Sequence, residues 1–220
     1  MEREEIITKV KLRCDELGPF ETGQVIDPGE IDHLLNDAVK RLLLVIPPYV
    51  PTPESFLPDS GEVPIPDPET GGSPGIVYGQ GVPYDEHTGY IPLPSDFLRL
   101  VSLKMTCWER SATRTITEMD PLYTRQRNPY IRGSHTKPVV VLRYEPGIGK
   151  VLEYYSVTNN DHRISKGLYI PLVLPEELED ELIDPLSWLV AAILLDTKAE
   201  YDAAKAANQR LVEWINSVML

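Results

Sequence analysis

The sequence predicts an α+β protein: an antiparallel helical bundle, made of N-terminal helices and a C-terminal helix pair, carrying an inserted small β-sheet and a long Pro-rich arm. Three observations predict it. Apolar residues recur at helical spacing near both ends of the chain. The middle is patterned as short strands separated by turn residues. More than half of the 21 prolines fall between Pro47 and Pro94. The expected division is 1–47 for the N-terminal helices, 48–90 for the arm or loop, 91–173 for the β-rich insertion and 174–220 for the C-terminal helices. At 220 residues the chain is long enough to bury a sizeable core.

Ile6, Ile7, Val10 and Leu17 outline a first, weakly amphipathic helix that ends near Gly18-Pro19. The second helix is better marked. Asp27 suits the N-cap, Pro28 the first helical position, and Glu30 the acidic place of a capping box. Ile31, Leu34, Leu35, Ala38, Leu42 and Ile46 then repeat at three- and four-residue spacing until Pro47-Pro48 stop the helix. Residues 47 to about 90 combine prolines with Gly71-Gly72, Gly75, Gly79 and Gly81. Such a segment can neither propagate a helix nor fill a central strand. It is either a long loop packed on its own domain or an arm lying along a neighbouring subunit.

The run IPLPSDFLRLVSLKM at 91–105 is the most informative phrase. Its Pro-x-Pro entry forces extended backbone, and Ser95-Asp96 make a polar turn. In the strand that follows, strict alternation sets Leu98, Leu100 and Ser102 on one side and Val101, Leu103 and Met105 on the other, with Arg99 and Lys104 interspersed. Further strands are expected at 97–106, 114–116, 139–144, 151–157 and 168–172. The continuous apolar run from Val139 to Leu142 suits a strand covered on both faces. Pro146-Gly147 and Asn159-Asn160-Asp161 are turns. Pro175, followed by Glu176 and Glu177, starts the C-terminal helices, and Asp184-Pro185 repeats that signal, so a kink or restart is expected there. Trp188, Leu189, Ala192 and Leu195 line one face of the buried stretch. Leu211, Trp214, Ile215 and Val218 form a final amphipathic stripe.

The chemistry-bearing residues are sparse. Gly147-Ile148-Gly149-Lys150 falls short of a phosphate loop because Val151 follows the lysine, and a hairpin turn is the simpler reading. His33, His87, His135 and His162 have no second ligand at metal spacing. Cys14 and Cys107 have neither metal nor redox spacing and read as free buried thiols in a reducing compartment. The carboxylates at 176–181 read as a solvated helix face. No catalytic, cofactor-binding or metal-binding residue is assigned, and no cofactor is expected. The acidic start, Met-Glu-Arg-Glu-Glu, does not suit an export signal. The apolar run from Leu186 to Leu195 is about half the ~20 residues a membrane span needs, so no membrane contact is expected.

One local asymmetry remains. The net charge is −13, which argues against binding nucleic acid through bulk attraction. Yet from Arg99 to Arg143 the chain carries nine Lys or Arg against three acids. Arg125, Arg127 and Arg132, with Tyr123 and Tyr130 interleaved, are its densest part. These five are the candidate partner-binding residues. A solvated loop whose arginines pair with the protein's own acids is the plainer reading, and contact with DNA phosphates is a third.

The order of these features resembles the head–tail adaptor, connector or ring proteins of short-tailed, crAss-like bacteriophages, which are akin to tail tubular protein A. The likeness rests on the capped helix at 27–46, the 91–105 phrase, the strand opening at Lys137-Pro138, the LEYYS strand at 152–156 and the helix pair opening at LPEE, 174–177. It covers most of the chain outside roughly 50–90. The resemblance implies a non-enzymatic structural subunit in the virion, at the portal–tail vertex, assembled in the bacterial host cytoplasm. It implies a homo-oligomeric ring of about twelve copies. Its other partners would be the portal protein and a further tail or ring protein, with packaged DNA passing through the channel without sequence-specific contact. From other classes, the alternatives are a small phage-encoded hydrolase with a site between sheet and helices, and a monomeric nucleic-acid-binding accessory protein.

Overall fold

The computed structural model describes residues 2–17, 26–46, 55–56, 64–65, 75–76, 81–126 and 128–218. The chain is mixed α+β. In order it forms α1 (Arg3–Glu16), α2 (Pro28–Val45), β1 (Ser55–Phe56), β2 (Pro64–Ile65), β3 (Gly75–Ile76), β4 (Val82–Pro83), β5 (Gly89–Pro92), β6 (Phe97–Met105), β7 (Thr115–Thr117), α3 (Pro121–Gln126), β8 (Val140–Glu145), β9 (Gly149–Tyr154), β10 (Ile164–Pro171), α4 (Asp180–Thr197) and α5 (Tyr201–Val218). It divides into two compact units, Met1–Pro53 with Leu172–Leu220, and Glu54–Pro171.

In the helical unit, α4 packs against α1, α2 and α5. Its composition explains this. Leu182, Ile183, Leu186, Val190, Ala191, Leu194 and Leu195 are buried on all sides of the helix, which suits a central element rather than a surface one. Each fully buried Leu or Ile contributes about 1.5–3 kcal/mol. In α1 the buried residues are Ile6, Val10 and Cys14, one turn apart. The α2 N-cap forms as expected, with Asp27 accepting from the Gly29 N–H at 3.0 Å. Glu30 does not complete a capping box; its carboxylate instead meets Lys198 Nζ at 2.8 Å. Arg13 lies over the Trp188 ring, 4.6 Å from its centroid, and pairs with Asp184.

The restart expected at Pro185 does not occur. Pro175–Glu177 is a separate 3-10 turn, and α4 runs unbroken through Pro185. The proline sits in the second turn, where the carbonyl it leaves unpaired belongs to Glu181 in the exposed first turn, so the cost is low. Between α4 and α5 the chain turns through Ala199, at φ 62°. Glu200 N–H donates to the Leu195 carbonyl at 3.0 Å and Ala199 N–H to Asp196 at 3.1 Å. This is a Schellman turn with alanine where glycine is usual.

The second unit holds two main sheets. One has the order β4-β5-β9-β8-β7, antiparallel except for the parallel β7–β8 pair; the other is antiparallel, in the order β1-β10-β6. β2 and β3 pair separately. Residues from both main sheets share one core, including Ile91, Phe97, Leu103, Trp108, Leu152 and Tyr169. All five strands expected from the pattern are present. Gly89–Pro92 spans the 90/91 boundary expected between arm and sheet, so the sheet begins earlier, with Pro83 tolerated on the edge strand β4. Apart from the short strands, the expected arm lies outside the described residues as far as Gln80.

Strict alternation fails along β6. Phe97, Leu100, Leu103 and Met105 all enter the core. The register against β10 explains it: Pro171 pairs with Phe97 but Ile170 with Arg99, and Tyr169 pairs with Leu100 but Leu168 with Ser102. Each irregularity inserts one residue, Leu98 and then Val101, and flips the alternation. On β8 the two-faced covering is as expected. Val140 faces the shared core, while Val141 packs with Tyr123 and Tyr155 on the other face. Gly147 and Gly149, at φ 84° and 106°, make the β8–β9 hairpin turn expected in place of a phosphate loop.

Candidate interaction surface

The segment joining β7 to β8 packs, through Tyr123, on the sheet face away from the shared core. Its first element, α3, starts as α2 does. Asp120 Oδ1 accepts from the Leu122 N–H at 2.8 Å, and Pro121 takes the first helical position. Tyr123 turns inward, 8% exposed, against Val141, Tyr155 and Ile116. It anchors the helix to the sheet, while Arg125 stands exposed on the opposite side.

Gln126 does the corresponding work for the loop beyond. Its side chain is buried. Oε1 accepts from the Gly133 N–H at 2.8 Å, and Nε2 donates to the Leu122 carbonyl at 3.1 Å. Gly133 is held from a second direction, because Ser156 Oγ donates to its carbonyl. A side chain at Gly133 would meet the Lys137 carbonyl and Val139 Cγ2, both 2.9 Å from its Cβ. Between these fixed points Asn128 Oδ1 accepts from Tyr130 N–H, and the Asn128 carbonyl accepts from Ile131 and Arg132. A short antiparallel bridge, Ser134 to Lys137, closes the loop.

What α3 and its two flanking turns display is apolar. Tyr130 and Met119 are each 95% exposed, and Ile131 and Leu122 are exposed too. Large apolar groups held out on an ordered loop beside an arginine are the residue types enriched in protein interfaces. Of the five residues picked from sequence, Tyr130 and Arg125 are displayed, Tyr123 is interior, and Arg127 lies outside the described residues. Arg132 is half-buried near Asp85. Burial of Asp85 opposes its ionisation, but the His87 and Thr88 groups that bond it, with the charge of Arg132, hold its pKa below the usual value. Arg125 makes no ion pair among the described residues. Sequence reasoning passed over Met119, Leu122 and Ile131, and also α3, although Asp120-Pro121 carries the same start signal as Asp27-Pro28.

The remaining chemical groups lie apart. His33 is exposed on α2, His135 approaches Glu109 at 3.5 Å, and His87 Nδ1 lies 2.9 Å from the Val157 carbonyl. His162 is buried. Its Nδ1 lies 2.8 Å from the Tyr154 hydroxyl, and its Nε2 lies 2.9 Å from Asn160 Oδ1, which makes Nε2–H the donor to that oxygen. Burial pushes the Cys14 thiol up to about 11, so it is unreactive, and Cys107 is only partly covered. Among the described residues no three His, Cys, Asp or Glu side chains are grouped to hold a metal, and no helix is long and apolar enough to cross a membrane. Compared with known proteins, the chain matches no family model and no curated protein.

Proposed function

We propose that this chain is a structural subunit of a bacteriophage portal–tail vertex, one of a homo-oligomeric ring that connects the portal to the tail and lines the DNA channel. In this reading the helices from both ends of the chain form a bundle, and the inserted sheet carries adhesive segments toward neighbouring subunits, the portal protein and a further tail or ring protein. It acts by contact and not by catalysis. The observation that carries the reading is the exposed apolar set around α3, with Met119 before it, Leu122 and Arg125 on it, and Tyr130 and Ile131 on the loop held by Gln126 and Gly133. Large apolar side chains clustered on an ordered surface suit a face that is covered by a partner. The element order stated above supplies the kind of assembly. Modest contacts repeated around a closed ring add up to a stable object.

The test is the mass of the purified protein by light scattering, with negative-stain imaging, alone and after adding portal protein. Rings in either sample support the proposal. A 24.8 kDa monomer that ignores portal overturns it. Replacing Arg125 and Arg127 together with Glu is expected to leave circular dichroism unchanged and abolish assembly; Arg132 is kept because its charge lies beside Asp85. Assembly that survives the replacement removes the arginines from the interface.

A further inference from the structure

A second surface of the sheet unit has the opposite character to the rest of this acidic chain. The residues leading into β7 and those leading into β8 run side by side, because the two strands are parallel and paired from Thr115 with Val140. Between them lies an open groove of about 310 Å³. Arg110, Arg114 and Lys137 stand around it, all exposed, and no Asp or Glu lines it. None of the three makes an ion pair among the described residues. The floor is apolar, with Ile116, Leu122 and Val139 among its residues. Three unpaired cations over an apolar floor suit an acidic polypeptide with aliphatic side chains. A nucleic-acid backbone would use the cations but leave the floor unfilled, and no aromatic ring lines the groove to stack a base.

The same chain carries a segment with the complementary pattern. Residues 172–174 link β10 to the 3-10 turn, and Leu172 and Leu174 are both exposed while Val173 is half-covered. Glu177, Glu179, Asp180 and Glu181 follow, all exposed. We infer that the groove receives residues 172–181 of a second copy, the leucines on the apolar floor and the acids on Arg110, Arg114 and Lys137. Groove and segment are different surfaces, so each copy can receive one neighbour and be received by another, the heterologous contact that a ring requires. This rests on the ring reading and assigns one of its subunit contacts.

The test is fluorescence anisotropy of a labelled peptide, LVLPEELEDE, with the full chain. Saturable binding is expected. It should weaken at least ten-fold for the chain carrying Arg110→Glu, Arg114→Glu and Lys137→Glu, and likewise for a peptide carrying Leu172→Ser and Leu174→Ser. It should also weaken between 50 and 300 mM salt, as roughly surface charge pairs do. As a control on folding, that chain mixed with one carrying Glu179→Lys, Asp180→Lys and Glu181→Lys should associate where neither does alone. No peptide binding, equal binding by the charge-reversed chain, or displacement by a single-stranded oligonucleotide overturns the inference. Rings that persist in the charge-reversed chain overturn the groove and leave the ring standing. Peptide binding by a chain that never assembles supports the groove and removes the ring.

Discussion

Replacing Gln126 with alanine should release the displayed loop without unfolding the sheet. The side chain is 4% exposed and makes two hydrogen bonds, to the Gly133 N–H at 2.8 Å and the Leu122 carbonyl at 3.1 Å. Alanine leaves the Gly133 N–H in a covered site with no acceptor, and a buried donor left unpaired costs about 1–3 kcal/mol. Taking about 2 kcal/mol, the population of loop-open molecules rises roughly thirty-fold, since each 1.4 kcal/mol is a factor of ten. The loss should stay local, because Tyr123 still fastens α3 to Val141 and Tyr155. The assay is amide hydrogen exchange of the segment 128–137, followed by mass spectrometry at neutral pH, with β8 and β9 as internal controls. Faster exchange in the loop with unchanged strands is the expected result. Exchange unchanged in 128–137 would show that Gln126 does not hold the loop; equal acceleration throughout the sheet would show that the loop and the sheet open as one unit.

Two further outcomes follow from other parts of the fold. Burial lowers the His162 pKa, opposed by Asp85 and Asp161 and reinforced by His87, so the folded state favours the neutral ring. Its contribution is therefore complete above the ordinary histidine value of about 6.5 and is lost as pH falls through the lowered one; urea midpoints should drop between pH 7 and pH 5, and His162→Gln should flatten that slope, an unchanged slope refuting the assignment. Ala199→Gly should raise stability by about 0.5–1 kcal/mol, because relief of the left-handed alanine outweighs the extra freedom of glycine in the unfolded chain; a lower melting temperature would refute the Schellman argument.

The helices were legible because single residue types carry their signals. Asp27 and Pro28 are visible without any tertiary information, and so is the spacing of Ile31, Leu35, Ala38 and Leu42. The strands were legible as runs, but the faces of β6 were not, since one inserted residue reverses the alternation and Leu98 and Val101 look like any other strand residues. The continuity of α4 through Pro185 was hidden because a proline's cost depends on where the orphaned carbonyl points. The candidate surface was half legible. Arginines and tyrosines are conspicuous against an acidic background, whereas Tyr123 and Tyr130 differ only in which way the backbone aims them. Met119 and Ile131 carry no signal in the sequence, and only their exposure in the fold brings them out.

The order of the two units along the chain bears on how the protein is made. Every strand of the sheet unit leaves the ribosome before α4 begins, whereas α1 and α2 are synthesised first and must wait for it. At ~5–20 residues per second, roughly seven to thirty seconds separate the end of α2 from the start of α4. Throughout that interval the nascent chain holds out Ile6, Val10, Ile31, Leu35 and Leu42 with no α4 to cover them. The apolar faces of the early helices thus stay uncovered until α4 emerges, and translation that stalls after β10 leaves those helices without the element they pack on.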